Sequence, residues 1–290
     1  MGTLVTRFAP SPTGPLHLGH AASALLAWGC ARCAGGRFLL RLEDIDAGRC
    51  RAEFAEAIIQ DLTWLGLDWD GAVRVQSAHL ADYARCLDRL RVMGVVYRCF
   101  CSRADLAAAL GAPQSEDDRV YPGFCRDLSA DEVAARVAAG AAYGWRLDLA
   151  RARGLIAQNG MGRALGWHEV GVGWVEAMPE RLGDVVVGRK DAPVSYFLAA
   201  THDDAIQDVS LVVRGEDLRA ATGVQVVLQA LLGWDTPDYR HHPLLRDGSG
   251  RRLAKRDRAM GLSALRAEGH SPDDVRKLLP DWHSAVRLSA

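Results

Sequence analysis

The feature that most constrains this chain lies near its start, in residues 7–20, where three prolines and two glycines follow a short apolar run. The apolar run, residues 4–8, predicts a strand. Proline has a fixed φ and no N–H, so it can precede a helix or occupy its first turn but cannot lie in its interior. We therefore expect a helix to begin between Leu16 and Leu18. This places His17 and His20 three residues apart on one face of its first turn.

The start of that helix is suited to bind a polyphosphate. The first N–H groups of a helix lack partners within it and carry a partial positive charge, which attracts anions. Two imidazoles beside them can donate further hydrogen bonds to phosphate oxygens. Two histidines near a helix start are also common as structural or surface residues, so this pattern alone indicates a nucleotide site without identifying it.

A second apolar run places the first strand and helix in a parallel sheet. Gly35 and Gly36 end the helix, and residues 37–42 predict another strand. Strand, helix and strand joined by short breaks form a βαβ unit, whose two strands are parallel. The second strand runs into an acidic segment, residues 43–46. Because ligands of such sheets bind beyond the carboxyl ends of the strands, this segment belongs to the candidate site.

The rest of the chain alternates helical and strand-like patterns. Apolar stripes at helical spacing predict amphipathic helices over residues 54–65 and 80–90, and a further helix over 224–232. Short apolar runs predict strands at residues 95–97, 145–149, 184–187, 197–200, 211–213 and 239–245. We interpret residues 247–258 as a polar loop. A capping box at residues 271–274, with proline at the first helical position, predicts a helix that runs through Leu279.

The composition restricts the class of protein. With 290 residues, 49% of them apolar, and a net charge of −1, the chain does not bind polyanions over its whole surface, so any nucleic-acid contact must use local patches. No apolar run reaches the roughly 18 residues that a membrane helix needs, and the start lacks the pattern of a signal peptide. Together with an odd number of cysteines, seven, these features predict a cytoplasmic protein in a reducing compartment.

Four residues form a candidate metal site within residues 99–145, a segment without a strong core pattern. They are Cys99, Cys101, Tyr121 and Cys125. Cysteine thiolates bind Zn²⁺, and a bound structural Zn²⁺ can replace a hydrophobic core. The residues alone leave two alternatives open, since the cysteines could be ordinary reduced thiols and the fourth ligand could be a water or a histidine instead of Tyr121.

Several motifs in this chain together resemble those of the class I aminoacyl-tRNA synthetases. Residues 10–20, which end in the letters HLGH, are similar to the HIGH signature of that family, and residues 252–256 are similar to its KMSKS loop. Residues 8–14 resemble the glutamyl version of the first motif. Three further segments resemble glutamyl-tRNA synthetases in the same order: residues 42–46, 195–199 and 213–217. The resemblance covers about residues 4–260.

The resemblance implies an ATP-dependent first step. In this family the carboxylate of an amino acid attacks the α-phosphate of ATP, which gives an adenylate and pyrophosphate. Positioning and charge stabilisation dominate such chemistry. The implied ATP-binding residues are His17, Gly19, His20 and Lys255, of which the two histidines and the lysine are the candidate catalytic residues. Mg²⁺ accompanies the ATP.

The resemblance also implies that the amino acid is L-glutamate. A glutamate pocket needs a cation for the side-chain carboxylate and an anion for the ammonium group, and the planar fork of arginine suits the first task. The implied roles are carboxylate recognition by Arg7 and Arg214, amino-group recognition by Glu43, and a pocket wall at Tyr196. The implied glutamate site comprises Arg7, Phe8, Ala9, Pro10, Ser11, Glu43, Tyr196 and Arg214. The alternative for Arg214 is a structural ion pair with an acidic neighbour, Glu216 or Asp217.

The KMSKS-like loop departs from the family pattern. Arg252 replaces the first lysine of the motif, Ala254 its serine and Arg256 its last serine, whereas Lys255 is retained. Loss of the serine hydroxyl could slow activation without abolishing it. At the second site, small glutamyl-synthetase-like proteins carry the same Cys-x-Cys and Tyr-x₃-Cys pattern, which implies one structural Zn²⁺ with Tyr121 as the fourth ligand.

We expect an α/β fold with a Rossmann-like, HUP-type parallel sheet. The expected organisation is a first catalytic half at 1–98, a zinc-binding insertion at 99–145, a second catalytic half at 146–258 and a short helical C-terminus at 259–290. A glutamyl-tRNA synthetase continues as a helical anticodon-binding region, whereas this chain stops at Ala290. It therefore resembles the stand-alone glutamyl-queuosine tRNA(Asp) synthetases.

The stand-alone family implies particular partners. These are L-glutamate, ATP and a tRNA(Asp) that carries queuosine in its anticodon, with no membrane; we expect a monomer. Three alternatives stay open: a synthetase that charges the 3′ end of a tRNA, a catalytically silent tRNA-binding paralogue, and a related enzyme that adenylates another carboxylic acid.

Overall fold

Strands and helices alternate along the chain, of which the computed structural model describes residues 2–102, 104–106, 120–159, 164–245 and 261–279. The strands of these residues are β1 (Val5–Phe8), β2 (Arg37–Leu42), β3 (Arg74–Val75), β4 (Val96–Cys99), β5 (Gly144–Leu147), β6 (Gly166–Glu169), β7 (Gly173–Glu176), β8 (Val186–Gly188), β9 (Leu211–Gly215) and β10 (Asp238–His242). The helices are α1 (Leu18–Cys33), α2 (Ala52–Trp64), α3 (Leu80–Val92), α4 (Ala130–Ala138), α5 (Leu149–Gln158), α6 (Tyr196–Ile206), α7 (Arg219–Leu232), α8 (Leu262–Ala267) and α9 (Pro272–Lys277). Short 3₁₀ helices lie at Gln76–His79, Pro179–Arg181 and Glu216–Leu218.

A mainly parallel sheet organises these elements. Strand β2 pairs in parallel with β1 and β3, and β10 pairs in parallel with β9 and β6, while β7 is antiparallel to β6. The two groups meet where β1 lies beside β9. There the N–H of Ser210 donates to the carbonyl of Val5 (3.0 Å), and the N–H of Val5 donates to Ser210 Oγ (2.9 Å). The ladders β3-β2-β1 and β9-β10-β6-β7 thus lie side by side in one layer, and the contacts at Ser210 join β1 to β9 in place of a strand ladder. Their mostly parallel strands confirm the predicted α/β fold with parallel strands.

The sheet reverses its direction of growth between β1 and β9. From β1 the chain builds outward to β2 and β3, whereas from β9 it builds the opposite way to β10. Ligands of open α/β sheets bind at such a switch point, beyond the carboxyl ends of the strands. The space beyond Phe8 on β1 and Gly215 on β9 is therefore the first place to look for a site.

Helix α1 covers the sheet at this switch point because most of its residues are small or apolar and buried. They pack against apolar side chains of β1, β2 and β9. The helix begins at Leu18, as the prolines predict, and His17 is its N-cap. The return into β2 requires glycine at position 36, since a Cβ there would lie 2.2 Å from the carbonyl oxygen of Leu4.

A separate antiparallel sheet contains β4, β5 and β8, with β5 in the middle. The apolar core on this side combines α3, α5, α6 and α7. The predicted strand at 95–97 is confirmed as β4, and the predicted amphipathic helices are confirmed as α2 and α3. The proposed division at residues 98, 145 and 258 stays a prediction.

Two local predictions are wrong. Residues 197–200 lie in helix α6 and not in a strand, because a run of four apolar residues cannot distinguish a strand from a buried helix segment. The strand predicted at 145–149 ends at Leu147. Asp148 accepts a hydrogen bond from the N–H of Arg151 (3.0 Å) and so caps α5, a helix that the sequence analysis did not predict.

Smaller differences concern the last elements of the chain. The strand predicted to reach residue 245 ends at His242, and the helix predicted to reach Leu279 ends at Lys277. The predicted capping box at Ser271 is confirmed. The predicted polar loop, residues 247–258, lies entirely outside the described residues. Within the described ranges, no helix is long and apolar enough to cross a membrane.

Candidate active site

A cleft of about 420 Å³ opens at the switch point of the parallel sheet. Nine of the residues that the sequence analysis assigned to ATP or glutamate line it: Arg7, Phe8, Ala9, His17, Gly19, His20, Glu43, Tyr196 and Arg214. Pro10 and Ser11 lie in the adjoining loop and not in the lining. The carbonyl of Pro10 accepts the N–H of Glu43 (3.0 Å), and Ser11 Oγ lies 3.8 Å from Cys50 Sγ. Lys255 lies outside the described residues.

His17 and His20 stack at the start of α1, with ring centroids 3.8 Å apart. Nδ1 of His17 accepts the N–H of Gly19 (3.1 Å), and Nδ1 of His20 accepts the N–H of His17 (3.1 Å). A backbone N–H can only donate, so each neutral ring carries its hydrogen on Nε2. A Cβ at Gly19 would lie 2.9 Å from the ring of His17, so the cap requires glycine. The capping box thus fixes two Nε2–H donors beside the positive end of a helix dipole.

Direct ion pairs hold the charges on the β1 side of the cleft. Arg7 donates to Asp204 from Nε (3.1 Å) and Nη2 (3.3 Å), and to the carbonyl of Val213 from Nη1 (3.2 Å). Arg41 is fully buried and donates to the same carboxylate (2.8 Å). Burial alone would raise the pKa of Asp204, but Arg7 and Arg41 outweigh it and lower the pKa to about 2. Asp204 is therefore ionised and neutralises Arg7.

Glu43 directly follows strand β2 and lies at the edge of this charged group. Its side chain is 14% exposed, and one carboxylate oxygen lies 3.4 Å from Arg41 Nη2. Burial raises the pKa of Glu43 above its ordinary value, although Arg41 and Arg7 pull it down. The carboxylate faces the cleft, where it can pair with a ligand cation.

Arg214 on the β9 side forms no such ion pair with the described residues. It is only 6% exposed, and its hydrogen bonds within the described residues all go to uncharged groups. Nε donates to His241 Nε2 (3.3 Å), Nη1 to the hydroxyl of Tyr196 (3.3 Å) and Nη2 to Thr222 Oγ1 (2.7 Å). The alternative that the sequence left open, an ion pair with one of the two acidic residues after β9, is not formed between these described residues.

The donor count of Arg214 shows what the cleft can bind. A guanidinium group has five N–H donors, and the three protein partners take one from each nitrogen. One N–H remains on Nη1 and one on Nη2, which together form a planar fork. A buried cation is costly unless it is paired. Because the fork matches the two oxygens of a carboxylate, the β9 side of the cleft is built for a ligand carboxylate.

The sequence analysis missed the residues that hold these arginines in place. Asp204, Thr222 and His241 belong to none of the recognised motifs and come from α6, α7 and β10. His241 lies near the carboxyl end of a parallel strand, and that position is the one signal that could have marked it. The cleft is also lined by Ser23, Val213, Gly215, Asp217, Leu218, His242, Pro243, Leu244 and Leu245.

The four predicted metal ligands form a cluster away from the cleft. The sulfur atoms of Cys99, Cys101 and Cys125 lie within 4.8 Å of one another, and Cys101 Sγ is 3.5 Å from Cys125 Sγ. The hydroxyl of Tyr121 is 3.6 Å from the sulfurs of Cys99 and Cys101. Tetrahedral zinc, with bonds of about 2.3 Å to sulfur and about 2.0 Å to oxygen, requires separations of about 3.8 Å between sulfurs and about 3.5 Å from oxygen to sulfur. The cluster fits these requirements.

Donors surround two of the sulfur atoms. Nε of Arg146 donates to Cys99 Sγ (3.3 Å), and the N–H of Phe100 donates to Cys125 Sγ (3.4 Å). The guanidinium of Arg146 also lies 3.8 Å from the ring centroid of Tyr121. Burial would raise the pKa of Cys125, but hydrogen bonds outweigh it and lower the pKa, whereas burial raises the pKa of Cys101 to about 11. The deprotonated thiol is the form that binds metal.

The fold and the cleft define the class of this protein. The start of α1, with its two oriented imidazoles, lies at the switch point of the strands, the place where α/β domains bind phosphates and other ligands, and the same cleft contains the arginine fork. The chain belongs to the class I aminoacyl-tRNA synthetases, because the family described as "tRNA synthetases class I (E and Q), catalytic domain" matches residues 3–279.

Within this class, the chain is similar to curated proteins that act on glutamate or tRNA(Asp) by name. The glutamyl-Q tRNA(Asp) synthetase of Rhodobacter capsulatus is 48% identical over 288 residues, which cover 95% of this chain and 99% of that protein. The glutamyl-Q tRNA(Asp) synthetase of Nitratidesulfovibrio vulgaris is 42% identical over 91% of this chain and 81% of its own length. The glutamate–tRNA ligase of Coprothermobacter proteolyticus is 36% identical over 94% of this chain, but the match covers 57% of that ligase.

Solved structures agree with the family. The glutamate–tRNA synthetase of Elizabethkingia anophelis superposes with a TM-score of 0.73 at 27% identity over 88% of this chain. A glutamate–tRNA ligase from Elizabethkingia meningosepticum in complex with its amino acid gives a TM-score of 0.72 at 27% identity. The chain spans about half the length of these two synthetases.

Proposed function

We propose that this chain activates L-glutamate with ATP to glutamyl-adenylate and transfers the glutamyl group to the queuosine base in the anticodon of tRNA(Asp). The observation that carries the proposal is the buried, unpaired fork of Arg214 in a cleft whose other end is the start of α1. The fork suits the side-chain carboxylate of glutamate. The match to a glutamyl-Q tRNA(Asp) synthetase over 99% of that relative's length supports the acceptor.

The glutamate is oriented by charges of opposite sign. Arg214 holds its side-chain carboxylate, Tyr196 lines the same side, and Glu43 pairs with its ammonium group. Arg7, whose charge Asp204 balances, forms the wall of the pocket on the β1 side. With both ends held, the α-carboxylate is directed at the α-phosphate of ATP, and this positioning removes much of the entropic barrier.

The ATP phosphates lie at the start of α1 in this proposal. The Nε2–H groups of His17 and His20 donate to phosphate oxygens as negative charge develops, and the helix dipole adds to the effect. Lys255 completes the phosphate site, and Mg²⁺ enters with ATP. Gly261, six residues after Lys255 in the sequence, forms a bridge with His17.

Isotope exchange between ATP and pyrophosphate tests the first half of the proposal. We expect glutamate-dependent exchange in the absence of tRNA. No exchange under any condition would indicate a silent paralogue, exchange only with tRNA present would favour an ordinary glutamyl-tRNA synthetase, and exchange with another carboxylic acid would identify a different substrate. Lys255→Ala should slow adenylate formation far more than it weakens glutamate binding, and equal losses would contradict the phosphate role of Lys255.

Transfer of labelled glutamate tests the acceptor. We expect label in tRNA(Asp) that carries queuosine and none in tRNA(Asp) that lacks it. Removal of the 3′-terminal adenosine provides the control, since it blocks charging at the 3′ end and leaves the anticodon base intact. Label that appears regardless of queuosine, or that disappears when the terminal adenosine is removed, would refute the proposed acceptor.

We also propose that Cys99, Cys101, Tyr121 and Cys125 hold one structural Zn²⁺. Because the four ligand atoms come from two separate segments, the metal would join them in place of an apolar core. Metal analysis should give about one zinc per chain. Cys101→Ser should lower both zinc content and thermal stability, whereas Cys33→Ser, at an exposed position on α1, should change neither. Full zinc content and full thermal stability in Cys101→Ser would refute the site.

A cytoplasmic monomer remains our expectation for the whole protein.

A further inference from the structure

A carboxylate and an imidazole lie behind Arg214 on the two neighbouring strands. Glu169 ends β6, His241 lies on β10 opposite Arg214 of β9, and the three strands are adjacent in the sheet. His241 Nδ1 lies 2.7 Å from Glu169 Oε2, and His241 Nε2 lies 3.3 Å from Arg214 Nε. The side chains of Glu169 and His241 are 2% and 0% exposed. No part of the proposed reaction uses this buried pair directly.

The hydrogen bonds around Glu169 determine its ionisation. Its carboxylate accepts the indole N–H of Trp167 (2.9 Å), the backbone N–H of His241 (2.7 Å) and the imidazole of His241, and it lies 3.4 Å from Arg219. Burial would raise the pKa of Glu169, but these hydrogen bonds outweigh it and lower the pKa to about 2. A carboxylate has no hydrogen to give, so the hydrogen between the two residues belongs to Nδ1 of His241.

We propose that Glu169 and His241 are positioning residues for glutamate recognition by Arg214. Glu169 fixes the Nδ1–H form of His241, and Nε2 of His241 then accepts from Arg214 Nε and from the hydroxyl of Thr222 (3.2 Å). Thr222 in turn accepts from Nη2 of Arg214. These contacts set the plane of the guanidinium and turn its remaining N–H fork toward the cleft. The inference rests on the proposed function.

We call the hydrogen-bonded series Glu169–His241–Arg214 the relay. It also explains why the outward N–H groups of Arg214 stay available to a ligand. A carboxylate in direct contact would occupy the fork, as Asp204 occupies two nitrogens of Arg7. One imidazole separates Glu169 from Arg214, so the negative charge of Glu169 lowers the cost of burying the cation without competing for its outward donors. The side chain of glutamate can then supply the direct partner.

The relay predicts that glutamate binding depends on pH. The charged or titratable groups that face His241 are Glu169 from β6, Arg214 from β9, Arg219 from α7 and Tyr239 from its own strand, whose ring stacks 5.7 Å away. Burial lowers the pKa of His241 below its ordinary value and outweighs the opposite effect of Glu169. His241 is therefore neutral at pH 7 to 8. Protonation at acid pH would put a hydrogen on Nε2, remove the acceptor and repel Arg214.

Kinetics of glutamate-dependent exchange test the proposal. His241→Leu should raise KM for glutamate about 10- to 30-fold, the usual effect of losing a hydrogen bond to a charged group, with little change in kcat or in KM for ATP. His241→Gln should recover much of the loss, because its amide oxygen can accept from Arg214. Glu169→Gln should raise KM for glutamate about fivefold, since a neutral partner no longer fixes the tautomer.

The same two strands offer a matched control. His168 and Asp238 form an exposed pair (3.6 Å) between β6 and β10, away from Arg214. His168→Gln should leave KM for glutamate unchanged. The wild-type KM for glutamate should rise as the pH falls through the lowered pKa of His241, which lies below the ordinary histidine value of about 6.5, whereas His241→Gln should be flat over that range. A purely structural role would not separate these two pH profiles.

Nitrogen NMR reads the tautomer without relying on activity. We expect His241 to carry its hydrogen on Nδ1 at pH 7.5 and to lose this preference in Glu169→Gln. Identical tautomers in both proteins, or an unchanged KM for glutamate in His241→Leu while exchange proceeds, would overturn the inference and leave the proposed function intact. A wild type without glutamate-dependent exchange would overturn the proposed function and, with it, the role in glutamate recognition.

Discussion

Two arginines face each other across the cleft, and their surroundings differ in kind. Arg7 on β1 and Arg214 on β9 are 5% and 6% exposed, and each lies near the carboxyl end of its strand. Two nitrogens of Arg7 donate to Asp204. Among the described residues Arg214 donates only to uncharged groups, one of which, His241, is in turn bound to the carboxylate of Glu169.

The difference teaches how a fold can bury two similar cations for two purposes. A direct ion pair neutralises a buried charge and makes it part of the framework. A carboxylate that acts through an imidazole, as Glu169 acts through His241, compensates the charge in part and leaves two N–H donors of the arginine for a ligand. The β1 side of the cleft should therefore govern stability, and the β9 side should govern substrate binding.

The largest effect should follow from removing the cation on the β9 side. Arg214→Gln deletes the charge and keeps a polar, shorter side chain. We expect kcat/KM for glutamate to fall about 1000-fold, or about 4 kcal/mol, as when one partner of a buried charged pair is removed. Urea denaturation should show no loss of stability, because the wild-type cation has no direct ion pair to lose. A large drop in stability would show that Arg214 belongs to the framework.

The next largest effect should come from the β1 side and should be seen in stability. Asp204→Asn removes the partner of Arg7 and Arg41 and leaves two buried cations without their shared carboxylate. We expect the free energy of unfolding at pH 7 to fall by about 3 kcal/mol, while KM for glutamate changes only a few-fold. If Asp204→Asn has normal stability but cannot bind glutamate, the β1 side governs substrate binding and not stability, which would contradict the comparison.

The pH dependence of that effect has a definite sign. The pKa of Asp204 is lowered to about 2 in the folded protein, below the value of about 3.9 for an unfolded aspartate. Its stabilisation is therefore fully present above pH 4 and is lost as the pH falls toward 2. Wild type and Asp204→Asn should converge in stability over that interval, and a constant difference would contradict the ion-pair explanation.

A third buried carboxylate should show the opposite and smaller effect. Asp61 on α2 has a fully buried side chain 3.4 Å from Arg266, but neither oxygen accepts a hydrogen bond from the described residues. Burial raises the pKa of Asp61 to about 6, although Arg266 opposes the change. Asp61→Asn should raise the free energy of unfolding at pH 7.5 by about 2 kcal/mol. The gain should vanish below about pH 4, where both states are protonated; a destabilised variant at pH 7.5 would show that Asp61 is paired after all.

Local chemistry made part of this molecule predictable. The prolines before Leu18 and the glycines before β2 restrict the backbone so strongly that strand, helix start and parallel sheet follow from them. Short runs such as residues 197–200 failed because apolar residues without flanking signals suit both a strand and a buried helix. Motifs indicated where His17, Glu43, Tyr196 and Arg214 would meet, since the ends of parallel strands share one edge.

The support of the site could not be predicted in the same way. Glu169 and His241 are 72 residues apart in sequence, and only the strand order β9-β10-β6 brings them behind Arg214. Asp204 likewise reaches Arg7 across 197 residues. No local pattern distinguishes such residues from ordinary surface charges, because their roles arise from tertiary contacts.

The ratio of kcat/KM for glutamate to that for glutamine tests the central claim most directly, since the two substrates differ by one charge at the group that Arg214 is proposed to hold. The wild type should prefer glutamate by about 1000-fold or more, as expected where a buried polar group would be left unpaired. Asp204→Asn should keep most of that preference, and Arg214→Gln should lose nearly all of it. An undiminished preference for glutamate in Arg214→Gln would contradict the account.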